Sequence, residues 1–293
     1  MSPAESDLRR SERRFILTLS CPDRIGIVAG VANFLLANEC NIADSAQFGD
    51  TSNQRFFMRV SFTPGAETAL AALQRAFAPV GERFGMQWQL HDAAVKPRVL
   101  IMVSKFGHCL NDLLYRYRTG ALAVVIPAIV SNHRDFYQLA ATHDIPFHHL
   151  PVDAASKARQ EGRLLELIEE ERCELVVLAR YMQILSPALC ARLRERAINI
   201  HHSFLPSFQG AKPYQQAHDR GVKLIGATAH YVTEDLDEGP IIEQDVTRVD
   251  HAMSAEACAA AGRDIECLVL ARAVTWHVER RILLNGHRTV IFK

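Results

Sequence analysis

RVLIMVS at residues 98–104 is apolar at every position but its two ends, and three later segments are read as strands of the same kind: ALAVVIPAIVS at 121–131, PFHHLPV at 146–152, with His148 and His149 in its middle, and ELVVLA at 174–179. A strand that is apolar on both faces is buried on both faces, the habit of parallel sheets covered by helices. Helical stretches at 110–118, 134–143 and 154–172 separate these strands. Strands alternating with helices predict a mostly parallel, Rossmann-like α/β domain over residues 98–293. A long amphipathic helix over about 255–284 is expected near its end. The order of the strands is not legible in this pattern.

Upstream the rhythm differs. RFILTLS opens a strand at 14, and CPDRIG makes a turn with Pro22, Asp23 and Gly26. Val28, Val31, Ala32 and Leu35 recur at helical spacing. An extended stretch starts at Asn41, NQRFFMRVSF alternates like a strand, residues 66–84 read as a helix, and MQWQLH closes the unit. The order β-α-β-β-α-β over residues 14–92 is the ferredoxin-like plan. Residues 93–97 read as a linker and 1–13 as a polar, Arg-rich tail. Two domains also suit a length of 293 residues.

Lys plus Arg number 33 and Asp plus Glu number 33, so the formal charge is zero and a nucleic-acid partner is not expected. Seven cysteines without a CxxC pair fit a reducing cytoplasm. No signal-peptide stretch is seen, and the most apolar run, 121–130, is too short to span a bilayer and contains Pro127. A cytoplasmic protein without a membrane partner is expected.

Chemistry concentrates in Ile198-Asn199-Ile200-His201-His202-Ser203-Phe204-Leu205-Pro206. On a strand, Asn199 and His201 share a face, and an amide and an imidazole on one buried face need partners. His202 would point to the opposite face and serve a supporting role. A second stretch, AHYVTEDLDEGP at 229–240, is a short strand entering an acidic loop, with Asp237 lying 237 − 201 = 36 residues past His201. Amide, imidazole and carboxylate together suit acyl chemistry. Asn199 and protonated His201 can stabilise an oxyanion, and Asp237 can orient His201 or relay a proton. Against this stand plainer readings: His143 and His277 as structural histidines, Glu234, Asp235 and Glu238 as a solvated charge run, and Met182 as core. HExxH and CxxC spacings are absent, so no metal is expected.

Two resemblances follow from these residues. Asp23, Arg24, Ile25, Gly26 and Ile27, with Asn41 and Ile42 opening the second strand, resemble the ACT domain. This implies a regulatory module that binds an amino-acid effector through Asp23, Arg24, Ile25, Gly26, Asn41 and Ile42, or one that only dimerises. By analogy the effector would be an amino acid linked to one-carbon metabolism, such as glycine or methionine, and the protein a homo-oligomer. N-x-H-x-S-x-L-P followed by L-D-x-G-P resembles the folate-dependent formyltransferase fold over about 97–293. That resemblance assigns catalysis to Asn199, His201 and Asp237, and a folate pocket to Met182, Gln183, Ile184, Leu185, Thr233 and Glu234.

Within that fold, a transformylase acting on a phosphorylated amine carries a Gly- and Ser-rich loop after the first strand. Here the place reads VSKFGHCLN at 103–111, with bulky Phe106 and Cys109 and with Lys105 as the one candidate anion ligand. NIHHSFLP, FQGAKPY and GATAHYVTEDLDEGPIIEQDV, in a chain ordered ACT then formyltransferase, resemble the deformylase branch. That implies hydrolysis of 10-formyltetrahydrofolate, with no separate cofactor, in one-carbon metabolism and purine biosynthesis. Formyl transfer to an amine and catalytically silent folate sensing are the alternatives.

Overall fold

The computed structural model describes residues 13–65, 68–206 and 213–293. Most of the expected tail at 1–13, and most of FQGAKPY at 208–214, lie outside the described residues. The described residues pack as two units: those within 13–96, 279–285 and 290–293 form one, and those within 97–278 and 286–289 form the other.

In the first unit, β1 (Phe15–Pro22), α1 (Ile27–Ala37), β2 (Asn41–Asp50), β3 (Arg55–Thr63), α2 (Leu70–Phe84) and β4 (Gln87–Asp92) realise the β-α-β-β-α-β order. The sheet runs β2-β3-β1-β4, with β1 antiparallel to both β3 and β4. Helix α1 buries Ile27, Val31, Phe34 and Leu35, one stripe at helical spacing. It begins just after Gly26, whose φ of 95° suits a residue without Cβ. Helix α2 buries Leu73, Phe77, Gly81 and Phe84 and ends at left-handed Gly85. Phe77 meets Phe34 and Trp88 edge-on, each at 4.9 Å, which ties both helices to the sheet.

The second unit holds a seven-stranded sheet, β11-β10-β9-β8-β5-β6-β7. Its strands are β5 (Val99–Val103), β6 (Ile129–Ser131), β7 (Phe147–His149), β8 (Leu175–Leu178), β9 (Ala197–His201), β10 (Leu224–Tyr231) and β11 (Ile241–Arg248). β9, β8, β5, β6 and β7 run parallel, while β10 and β11 add on antiparallel. All five residues of β5 are buried, as the continuous apolar run predicts. The helices are α3 (His108–Thr119), α4 (Tyr137–Ala141), α5 (Lys157–Glu170), α6 (Pro187–Arg192), α7 (Pro213–Asp219) and α8 (Ala255–Val278).

Three expectations change. The run 121–131 enters the sheet as a strand only at 129–131; Leu122, Val124 and Ile126 are buried, but Pro127 has no N–H for a ladder. The last helix stops at Val278 instead of continuing to 284. Arg280 adopts a left-handed φ of 57°, and the chain turns into β12 (Ile282–Asn285) and β13 (Arg288–Ile291). The expected second domain of 98–293 also yields residues 279–285 and 290–293 to the first unit. There Arg59 donates from Nε to the Arg280 carbonyl (3.2 Å) and from Nη2 to the Glu279 carbonyl (3.1 Å), and Asn285 donates to Asp50 (2.7 Å). Among the described residues no helix is long and apolar enough to cross a membrane.

Candidate active site

The C-terminal ends of β8 and β9 open on one side of the sheet, where ligands collect in folds of this kind. β9 carries Asn199 and ends at His201, and the antiparallel register sets His230 of β10 directly opposite Asn199. His230 Nδ1 donates to the Tyr231 carbonyl at 2.9 Å, and its Nε2 lies 3.3 Å from the Asn199 amide nitrogen. Strand pairing therefore orients the Asn199 side chain before any ligand binds.

Asp237 arrives from the loop after β10. Its Oδ2 lies 3.2 Å from His201 Nδ1 and its Oδ1 3.6 Å from His230 Nε2. The loop is held tightly: Tyr231 N donates to the Pro240 carbonyl at 3.0 Å, and a Cβ on Gly239 would stand 1.7 Å from the Tyr231 carbonyl oxygen. Asp237 itself has a left-handed φ of 60°, uncommon for a residue with a Cβ. Burial pushes its carboxyl upward, but the imidazoles of His201 and His230 outweigh burial and hold it well below the usual carboxylate range. His201 is buried, and among the described residues its Nε2 has no hydrogen-bond partner. One ring nitrogen is thus committed to a carboxylate while the other is open toward a cavity.

That cavity has a volume of about 740 Å³. Met182, Gln183, Ile184 and Leu185, on the segment between β8 and α6, line it together with Thr233 and Glu234. Met182 and Ile184 are exposed within it while Leu185 is buried, so Met182 is not core. Apolar side chains with a few polar groups suit a flat, partly polar ligand. The expectation for His202 is corrected. β9 ends at His201, the strand alternation ends with it, and His202 lines the same cavity with its ring 5.1 Å from that of His201. Burial, reinforced by the charges of Arg180 and His201, pushes the His202 imidazole down to about 4.

A second polar cluster on the cavity wall went unread in the sequence. Glu266, in the middle of α8, is fully buried. It accepts from Tyr214 Oη on Oε1 (2.6 Å) and from His108 Nε2 on Oε2 (2.7 Å), while Arg180 Nε lies 3.3 Å from Oε2. His108, Cys109 and Glu266 offer donor atoms within 4.8 Å of one another. His108 and Tyr214 each donate to one oxygen of this carboxylate, and a hydrogen bond with Cys267, with burial, raises the Cys109 thiol well above its ordinary range. His230 also went unnoticed; its one signal was a histidine inside the otherwise apolar strand before Asp237.

In the first unit the suggested effector residues do not converge within one domain. Asp23, Arg24, Ile25 and Gly26 follow the Pro22 end of β1, which pairs with Arg55. Asn41 and Ile42 pair with Thr63 and Phe62, and Phe62 in turn pairs with Phe15 at the opposite end of β1. Seven residues of strand separate the two ends, about 23 Å. Arg24 stacks over the Phe84 ring at 5.0 Å and donates to the Arg83 carbonyl, while Ile25 is fully exposed.

The model of the formyl transferase family matches residues 97–274, and that of the ACT domain residues 15–78. The formyltetrahydrofolate deformylase of Corynebacterium sp. (strain P-1) is 51% identical over 96% of this chain and 98% of its own length. That of Bacillus subtilis is 49% identical over 94% and 93%. The crystal structure of formyltetrahydrofolate deformylase from Burkholderia mallei superposes with a TM-score of 0.92 at 56% identity, covering 96% of this chain and all of that one. Likeness of this extent spans both domains, and the chain belongs to the formyltetrahydrofolate deformylase family.

Proposed function

We propose that this protein hydrolyses 10-formyltetrahydrofolate to formate and tetrahydrofolate, with Asn199, His201 and Asp237 carrying the reaction. The observation that carries this reading is the open Nε2 of His201, buried at the cavity while Nδ1 faces the Asp237 carboxylate. Family membership sets the substrate class.

Water adds to the formyl carbon, and Asp237 assists loss of its proton. The carbonyl oxygen becomes an oxyanion. The Asn199 amide and protonated His201 Nε2 donate to it, with the Asp237 carboxylate 3.2 Å from His201 Nδ1. Collapse breaks the bond from carbon to N10, the proton taken from the water passes to N10, and formate is left after loss of the remaining acidic proton. Met182, Gln183, Ile184, Leu185, Thr233 and Glu234 hold the folate in this reading. An amino-acid effector at the ACT domain, self-association and a reducing cytoplasmic setting, suited to seven free thiols, complete the proposal.

The test is formate release from 10-formyltetrahydrofolate with no amine present. Wild type releases formate, and Asn199→Ala loses roughly 100- to 1000-fold in turnover, about 3–4 kcal/mol, while remaining folded. Undiminished turnover by the variant would remove Asn199 from the mechanism, and absence of formate from wild type would remove the reaction.

A further inference from the structure

The cavity that holds His201 also holds an arginine with spare donors. Arg180 follows β8, is 8% exposed, and has a left-handed φ of 64°. Its backbone is clamped: Ser104 N donates to its carbonyl at 3.2 Å and its own N donates to the Leu178 carbonyl at 3.1 Å. Its guanidinium lies over the Phe106 ring at 5.5 Å. Among the described residues its buried Nε and Nη1 have no hydrogen-bond partner. Glu266 is close, at 3.3 Å from Nε, but its oxygens accept from Tyr214 and His108 instead. A buried N–H left unmade costs about 1–3 kcal/mol and is retained only where something repays it.

We propose that Arg180 is a binding site for a small carboxylate, the formate released by hydrolysis. The inference rests on the hydrolysis reading for the origin of its ligand. Formate is a carboxylate at neutral pH, and the Nη1–Nη2 edge of a guanidinium matches its two oxygens with a planar pair of donors, while Nε stays beside Glu266. His202 stands between the two places: its ring is 5.1 Å from that of His201 and 6.3 Å from that of Tyr214, which bonds Glu266. Burial, reinforced by the charges of Arg180 and His201, favours the neutral form of that imidazole. The proposal separates two jobs within one cavity. Asn199 and His201 hold the oxyanion while it forms, and Arg180 accepts the anion once the carbon–nitrogen bond has broken.

The experiment is calorimetric titration of the full-length protein with sodium formate, without folate. Arg180→Lys, which keeps the charge but loses the fork, Arg180→Met and Glu266→Gln are compared with wild type, each checked by circular dichroism. Formate binds wild type, roughly 10-fold more weakly to Arg180→Lys and not measurably to Arg180→Met. Glu266→Gln, which removes a competing negative charge, binds it more tightly. Because the two sites shift affinity in opposite directions, a general loss of structure does not imitate the pattern. No binding by wild type, or equal binding by all folded variants, overturns the proposal. Formate release is measured in parallel. Release with formate binding that ignores Arg180 defeats this site and leaves the hydrolysis reading standing. Arg180-dependent binding without release leaves the anion site standing and defeats the hydrolysis reading.

Discussion

Asp237 and Glu266 are two carboxylates on the wall of one cavity, and their surroundings differ in a telling way. Each is held below its ordinary range despite burial, Asp237 by His201 and His230, Glu266 by His108, Arg180 and Tyr214. Asp237 comes from a loop, while Glu266 sits mid-helix in α8, fully buried. Asp237's main partner, His201, keeps its far nitrogen open to the cavity. Glu266's two hydrogen-bond donors, Tyr214 and His108, reach it from different elements and knit them together. The charge and burial of a carboxylate therefore say little about its role. What counts is whether the group it orients has a free end facing the ligand space.

The largest expected effects lie at the two carboxylates and separate them. Asp237→Asn removes the charge beside His201, and turnover should fall roughly 100- to 10,000-fold, far out of proportion to the fall in the urea midpoint. Glu266→Ala should do the reverse in kind. It strands Arg180 without its nearby carboxylate and should cost about 3–5 kcal/mol of stability, read as a lower urea midpoint. If Glu266→Ala leaves the midpoint unchanged and abolishes turnover, the contrast drawn between the two carboxylates is wrong.

A smaller effect tests how Asp237 is held. In Gly239→Ala the new methyl would stand 1.7 Å from the Tyr231 carbonyl oxygen, so the acidic loop must shift. A stability loss of about 1–3 kcal/mol is expected, with turnover falling further than the stability loss explains. Equal turnover in wild type and Gly239→Ala would mean that the Asp237 loop position is not set by this close approach.

The smallest effect is the pH dependence contributed by His202. Its folded value of about 4 lies below the ordinary histidine value, so the unfolded chain binds more protons between the two. Stability therefore falls as pH drops from about 6.5 toward about 4, by at most about 1.4 kcal/mol per pH unit for this one group. Asp237 adds to the loss only further down, because a depressed carboxyl gives stability above its unfolded value that disappears as pH falls through the folded one. Urea midpoints at pH 7.5 and 5 for wild type and His202→Gln check this: the variant should lose less on acidification. An equal loss would mean that His202 is not held neutral by its surroundings.

Much of this was legible in the chain itself. The two rhythms of apolar residues, alternating with helices after residue 98 and following a β-α-β-β-α-β order before it, specify both folds. The two-residue spacing of Asn199 and His201 puts them on one face, and the acidic loop brings a carboxylate within reach. Periodicity of this kind is local, and it fails where local rules end. His202 follows the last strand residue and so escapes the alternation. The apolar run at 121–131 loses most of its strand to Pro127. The final helix ends at 278 because Arg280 turns left-handed. Strand order decided the rest. Setting β10 beside β9 pairs His230 with Asn199, and packing α8 against the same sheet brings Glu266 to Arg180, 266 − 180 = 86 residues away. Partners so distant share no sequence period; they meet because burying a polar group requires a hydrogen-bonding or charged neighbour, and only the folded chain supplies it.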